Sequence, residues 1–326
     1  MGKMYDVTSL GELLIDFTEN GKSMQGNQLL EANPGGAPCN VLSMLQKMHH
    51  KTAFIGKVGK DIFGNLLEER VSVQGIATDG ILKSDIVHTT LAFVHTKEDG
   101  DRDFSFYRKP GADIMLTEDD VISHRSLIEN TRIFHFGSLS MTDRNVEKAT
   151  KKAVAIAKEN RKLISFDPNL RMPVWDSADI AKEKIAFGLK NCDILKISDD
   201  EITFISGTDD VEKGIKILLE KYQIPIVFAT LGKSGSKAYY KEKEIFVPAF
   251  LNTKTIETTG AGDTFCGSIL HFILQYGLEQ LDEEKIKEML IFANAAASII
   301  TTRKGALCVM PEEKEVYEFI QKRSDQ

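Results

Sequence analysis

The sequence predicts an α/β fold of three layers, a mostly parallel sheet between two layers of helices, with a small β-sheet attached. Three observations carry this expectation. Short apolar runs rich in β-branched and aromatic residues alternate with longer amphipathic segments. Strand, helix and strand in repeated succession return each strand parallel to the last, which covers both sheet faces with helices. One stretch in the N-terminal third breaks this rhythm and reads as an antiparallel hairpin.

Along the chain, "GELLIDFTENGKSMQGNQLLEANPGG" has strand-like and turn-like composition. "NPGGAPCN", Asn33 to Asn40, then precedes a helix-like apolar run from Val41 to Met48, and "KTAFIGKVG" reads as a buried strand. Thr89 to Arg108 alternates apolar and polar residues on both sides of a Glu98-Asp99-Gly100 turn, the pattern of an antiparallel hairpin. With the N-terminal stretch it could build a small separate sheet, a lid or a dimer contact; an edge extension of the main sheet is the other reading. Phe93, Phe104 and Phe106 on the hairpin could close over a ligand or meet a second subunit.

The remaining strands are "RIFHFGSLSM", "RKLISFDPNL", "CDILKIS" and "IPIVFATLG". Between the first two, Asp143 to Asn160 places Val146, Ala149, Ala153, Val154 and Ala157 on one helical face. Phe265, Ile269, Phe272, Ile273 and Tyr276 recur at helical intervals, so a further helix is expected to begin near Asp263.

Composition excludes several function classes. A chain of 326 residues that is 42% hydrophobic can bury a large core. Its formal net charge of -7 has no long block of one sign, which argues against a nucleic-acid partner recruited by bulk positive charge. The same charge permits an anionic ligand held by local donors. Cys39, Cys192, Cys266 and Cys308 form no CxxC pair and no metal spacing with the histidines, so four buried free thiols are expected. No signal-peptide pattern and no membrane-length apolar run is present, the expectation for a cytoplasmic protein without a membrane partner.

"ETTGAGDTF", Glu257 to Phe265, is where chemistry is most concentrated. Gly260, Ala261 and Gly262 would lie at a helix N-terminus, where small residues allow close approach and N–H groups with the helix dipole favour an anion. The same field would favour the ionised form of Asp263, a carboxylate able to take a proton from an attacking hydroxyl. An N-capping Asp after a glycine turn fits the motif equally well. Other nucleotide motifs fail: Val227 stands where a Walker A loop ending in "GKS" needs glycine, and Phe265 takes the third glycine position of a dinucleotide fingerprint. In "NPGGAPCN", Gly35 and Gly36 permit close backbone approach and Asn40 offers an amide, which suits a polyol; a plain loop and helix cap fits too. Asp16 could accept from two vicinal sugar hydroxyls or sit in solvent.

"GGAPCN", "GKVGKDIFG", "FYRKPGAD", "DPNLR", "TLGKSG" and "TTGAGDTF" occur in the order found in the ribokinase-like (PfkB) carbohydrate kinases, and the chain resembles that family along essentially its whole length. "GELLIDF", "GGAPCNV" and "DPNLR" with Trp175 following are most similar to the bacterial and plant fructokinases. The resemblance implies a single ribokinase-like domain over residues 1–326, with a discontinuous lid from about 14–34 and 87–110. It also implies a homodimer, ATP and Mg²⁺, and transfer of the γ-phosphoryl group to a sugar hydroxyl, most readily D-fructose to fructose 6-phosphate. Asp263 would be the general base and Gly260, Ala261 and Gly262 the anion hole. Asp16, Gly35, Gly36 and Asn40 match sugar-binding positions, and Tyr107 and Arg108 match lid positions that contact substrate.

Arg171 matches a position near sugar and transferred phosphate, and Asn169 and Lys196 are similar candidates for phosphate. Thr230, Gly232 and Gly235 would border the nucleotide, with Asn294 near the adenine and Gly305 on the loop closing that pocket. Two positions depart from the family pattern. "SDDE" keeps Glu201, tied indirectly to Mg²⁺, but has Ser198 where Asn is common. Glu257 replaces an Asp that often helps bind a monovalent cation, which leaves a K⁺ effect open. The same fold also serves 2-keto-3-deoxygluconate kinases, ribokinases and aminoimidazole riboside kinases; a non-catalytic sugar or nucleotide sensor is the alternative from another class.

Overall fold

The structure is a computed structural model that describes residues 4–96 and 102–324. Its strands are β1 (Tyr5–Leu10), β2 (Leu14–Lys22), β3 (Gln28–Gly35), β4 (Thr52–Gly59), β5 (Ala77–Ser84), β6 (Leu91–Thr96), β7 (Arg102–Tyr107), β8 (Thr131–Gly137), β9 (Leu163–Asp167), β10 (Ile194–Ser198), β11 (Ile226–Thr230), β12 (Gly235–Tyr240) and β13 (Lys243–Pro248). The helices are α1 (Ala37–Lys47), α2 (Ile62–Val73), α3 (Glu118–Ser123), α4 (Arg125–Glu129), α5 (Arg144–Glu159), α6 (Ala178–Asn191), α7 (Asp199–Ser206), α8 (Val211–Tyr222), α9 (Ala261–Tyr276), α10 (Glu283–Ile300) and α11 (Glu313–Ser324).

Nine strands form the main sheet in the order β13-β12-β11-β10-β9-β8-β1-β4-β5. It is parallel from β11 to β5, and only the β12 and β13 edge is antiparallel. Period-2 alternation divides the core between its two faces. Ile133 on β8 joins the apolar layer containing α1, α9 and α10, whereas Phe134 and Phe136 join the layer containing α5 and α8. The residue between them, His135, therefore points toward the α1 and α9 side.

The strands that broke the rhythm form a separate sheet, β3-β2-β6-β7, not an extension of the main one. The hairpin pairs Leu91 with Tyr107 and Thr96 with Arg102. Phe17 of β2 stacks on Phe93 at 5.0 Å between ring centroids, and Phe93 meets Tyr107 edge-on at 5.1 Å. The turn residues Glu98, Asp99 and Gly100 and the side chain of Phe104 lie outside the described residues.

Local chemistry explains the helices that matter most. Asp143 caps α5 by accepting from Asn145 N–H, and the predicted stripe from Val146 to Ala157 is buried. Helix α1 starts at Ala37, four residues before the apolar run, because Pro38 is tolerated in a first turn whose N–H groups have no intrahelical partner. Asn40 thereby lies within the helix. Helix α9 starts at Ala261, with Gly260 as N-cap at φ 77, a left-handed conformation that glycine adopts freely. The two helices touch at Gly267, where an added Cβ would lie 2.7 Å from Met44 Cβ and 2.9 Å from Val41 O.

Among the described residues no helix is long and apolar enough to cross a membrane. Cys39, Cys192 and Cys266 are buried free thiols; Cys308, in the turn region after α10, is exposed, contrary to the expectation of four buried thiols.

Candidate active site

The carboxyl ends of β1, β8, β9 and β10 converge where the strand order reverses about β1, the usual place for a ligand crevice in an open α/β sheet. A narrow cavity there is lined by Glu12, Ala37, His135, Asp167, Asn169 and Asp263. Four of these, Glu12, Ala37, His135 and Asp167, were not singled out from sequence. Glu12 stands in "GELLIDF" and Asp167 in "DPNLR"; the signal for His135 was its alternation phase within an otherwise apolar strand.

Asp263 is the third residue of α9 and does not cap it, so the N-cap reading of the motif is corrected. Its Oδ2 instead accepts a 2.8 Å hydrogen bond from Asn40 Nδ2. The expectation that the helix field would favour its ionised form is also overturned. Burial raises its pKa to about 6; Asp167 adds to the rise, while the Asn40 bond, Lys196 and Arg171 work against it. Burial wins because the side chain sits within a residue only 8% exposed. At the helix start, Ala261 N–H reaches Thr258 O at 3.2 Å, at the long limit for such a bond.

Lys196 is 7% exposed and lies 3.1 Å from Asp167 Oδ2. A Cβ added at Gly262 would come within 3.1 Å of its Nζ, so glycine there lets the ammonium approach the start of α9. Burial pulls the pKa of Lys196 down, but the carboxylates of Asp167 and Glu201 more than offset this and raise it. His135 is driven the other way, to about 3, by burial and by the Lys196 charge, and is neutral across physiological pH. Its Nδ1 lies 3.0 Å from Ser165 Oγ.

The "DPNLR" segment folds back on itself: Asn169, at φ 43, donates its N–H to Asp167 Oδ1 at 3.0 Å. Leu170 N–H then donates to Glu201 Oε1 at 2.8 Å. Glu201 Oε2 accepts from Ser198 N–H at 2.8 Å, and Ser198 Oγ accepts from Glu201 N–H at 3.3 Å, a capping box at the head of α7. Ser198 thus does here what an Asn cap would do, and Glu201 braces the loop after β9 that carries Arg171.

The sugar-side candidates fall around β2, β3 and α1. Asp16 lies within β2, not at a strand end, and its carboxylate covers Gly35 so closely that a Cβ there would collide with it. Gly36, at φ 131, is pressed against the Glu12 carbonyl in the same way. Tyr107 is exposed on the small sheet. Arg108 is buried, and its guanidinium donates to Asp113 Oδ2 at 2.8 Å, Leu139 O at 2.9 Å and Thr142 Oγ1 at 2.7 Å. Those bonds tie the end of the hairpin to the loop after β8.

The nucleotide-side candidates lie on β11, the β11–β12 loop, α10 and the loop after it. Thr230 ends β11. Gly232, at φ 52, has no heavy atom within 4 Å of where a Cβ would point, and Gly235, at φ 124, has its Cβ direction blocked by Val247 O. Such a loop is open on one side and tied down on the other, which fits a ligand running across it. Asn294 is engaged by protein: its Oδ1 accepts from Ser236 Oγ at 2.9 Å, and its Nδ2 reaches Val247 O at 3.1 Å and Pro248 O at 3.2 Å. Glu257 Oε1 accepts from Gly305 N–H at 2.9 Å, which joins the two loops expected to flank the pocket.

Known proteins resemble the chain along nearly its whole length. The model of the pfkB family carbohydrate kinases matches residues 4–313. The chain is 37% identical to a probable fructokinase of Arabidopsis thaliana, covering 98% of both chains. Among solved structures, fructokinase with bound ATP from Xylella fastidiosa superposes with a TM-score of 0.88 at 29% identity, covering 98% of this chain and 99% of that one. Fructokinase from Vibrio cholerae with fructose, ADP and calcium superposes with a TM-score of 0.87, also at 29% identity, covering 97% and 99%. A buried carboxylate at the head of a glycine-started helix, a buried ammonium beside it and a match along nearly the whole length lead to one conclusion: the chain belongs to the pfkB family of carbohydrate kinases.

Proposed function

We propose that this protein is an ATP-dependent fructokinase that transfers the γ-phosphoryl group of ATP to a hydroxyl of D-fructose, with fructose 6-phosphate as product. The observation that carries the chemistry is Asp263, buried, held by Asn40 and poised near pH 6. A base of that pKa is ionised at neutral pH and basic enough to take a hydroxyl proton as the new P–O bond forms. The fructokinase relatives supply the choice of sugar.

Phosphoryl transfer asks the protein for alignment and charge stabilisation more than for covalent work. Amides at Gly260, Ala261 and Gly262, the Lys196 ammonium and the Arg171 guanidinium would receive the charge of the moving group. Asp16, Asn40 and the glycine backbone at Gly35 and Gly36 would orient the sugar. Thr230, Gly232, Gly235 and Gly305 would border the nucleotide; Asn294, whose amide is spent on Ser236, Val247 and Pro248, would shape that pocket by holding β12 and β13 in place. Mg²⁺ would be held by one or two carboxylates, with Glu201 and Asp167 as candidates, together with substrate phosphates, and would supply neutralisation of phosphate charge.

The small sheet, approximately residues 14–34 and 87–110, would act as the lid of this single domain, with Tyr107 on its face and Arg108 as its buried anchor. Leu29 and Leu30 are exposed on β3, an edge strand, which favours a homodimer through this sheet. Light scattering at micromolar concentration is expected to give twice the chain mass, and a monomer there removes the dimer.

ADP release measured with fructose, ribose, glucose, mannose, 2-keto-3-deoxygluconate and aminoimidazole riboside, each with and without K⁺, tests the assignment. Fructose is expected to have the highest kcat/KM. Preference for another sugar overturns the substrate and leaves the kinase standing, whereas binding of sugar and ATP with no ADP release replaces the kinase with a sensor. The K⁺ arm tests Glu257, whose second oxygen would have to serve the ion beside the Gly305 bond.

A further inference from the structure

We propose that Glu12 is a positioning residue for the transfer reaction, because its carboxylate pins the N-terminus of α1 and so fixes Asn40 against Asp263. This rests on the reading of Asp263 as the base.

Helix α1 has no cap of its own, since Gly36 occupies the cap position and carries no side chain. Glu12, 25 residues earlier in the chain, fills the role: its Oε1 accepts the Ala37 N–H at 2.9 Å. A negative group is favoured at such a terminus by the free N–H groups and the helix dipole. The two segments also interlock sterically. The Glu12 carbonyl occupies the space a Cβ of Gly36 would need, and a Cβ at Gly11 would come within 2.6 Å of Pro38 Cγ.

Three residues further along α1, Asn40 donates to Asp263 at 2.8 Å. Its own Oδ1 is buried without a hydrogen-bond partner among the described residues, so nothing there on that side of the amide corrects an error in where the helix places it. The direction of the Asn40 bond is therefore set by the backbone of α1, and that backbone is set at its start by Glu12. The carboxylate is kept there against an opposing force. Burial lifts its pKa to about 7, even though its own N–H, the Arg108 charge and the Ala37 N–H all favour the ionised form; Asp113 opposes them. Asp263, Asp167 and the neutral His135 line the same cavity.

Two variants separate positioning from general support. Glu12→Ala is expected to lower kcat about 10- to 100-fold through misalignment with the KM for ATP unchanged. It should also move the acid limb of kcat/KM upward by about one pH unit, since a weaker Asn40 bond favours the ionised base less. Glu12→Gln keeps an amide oxygen for Ala37 N–H and is expected to recover most of kcat. In an Asn40→Ala background, Glu12→Ala should change neither quantity further. Wild-type kcat and acid limb in Glu12→Ala, a Glu12→Gln no faster than Glu12→Ala, or full additivity with Asn40→Ala each overturns the proposal. If the wild-type protein turns over no sugar, the kinase reading falls by itself. Carboxyl-carbon NMR titration of Asp263 then decides the Glu12 question: an upward shift in Glu12→Ala supports it, and an unmoved titration overturns it.

Discussion

Asp263→Asn is expected to lower kcat by roughly 10²- to 10⁴-fold and, at pH 8, to raise the melting temperature. The first effect follows from loss of the carboxylate that α9 carries in its first turn, the proposed proton acceptor. The second follows from burial. The folded-state pKa of Asp263, about 6, lies above its ordinary value of 3.8. Its contribution to stability is thus fully present below about pH 4 and is lost as pH rises through 6, so at pH 8 the buried charge opposes folding.

Asparagine carries no charge, and its carbonyl oxygen can still accept from Asn40. The gain at pH 8 is bounded at about 3 kcal/mol, and it should vanish toward pH 4, where the wild-type carboxyl is neutral too. The same titration places the acid limb of wild-type kcat/KM near pH 6. Steady-state ADP release and thermal unfolding from pH 4 to 8 check both halves. Turnover close to wild type removes Asp263 as base, and a loss of stability at pH 8 shows that the Asn40 bond outweighs the burial of charge.

Lys196→Ala is expected to damage fold and catalysis together. It strands the Asp167 carboxylate, 3% exposed, beside Glu201 and Asp263 without its cation. Breaking one half of a buried pair costs about 3–5 kcal/mol. Lys196 also holds down the pKa of Asp263, so its loss should carry the acid limb of kcat/KM above pH 6. Removing both partners, as in Lys196→Met with Asp167→Leu, should restore much of the melting temperature and none of the turnover. A double variant that regains activity would show that the pair only fills space. Lys196→Ala with unchanged stability would mean that Asp167 finds water or another partner.

The layers of the fold were legible because strand and helix periods repeat cleanly, and α5 begins and ends within one residue of its polar flanks. Helix starts at α1 and α9 were less so, since their first turns are built from glycine, alanine and proline, which carry no apolar period. The family motifs brought Asp263, Asn40 and Lys196 to light. What they did not disclose was the direction of effects that depend on depth. The dipole at the start of α9 can be anticipated from a glycine-led helix, but the desolvation that overrides it needs the surrounding atoms. Arg108 has the same lesson: on the chain it belongs to an exposed hairpin, yet Asp113, Leu139 and Thr142 draw it inward. Glu12 and Ala37 lie 25 residues apart, and no local pattern announces their bond.

The close approach of α1 and α9 at Gly267 has a mechanical consequence. One helix carries the amide that steadies the base and the other carries the base, and no room separates them for sliding. Asp263 and its support on α1 are therefore held at a fixed spacing. If the small sheet acts as the proposed lid, it would move against this fixed pair, and the spacing between Asp263 and Asn40 would stay the same as it opened and closed. Opening such a lid would cost contacts with the sugar but no realignment of the proposed base.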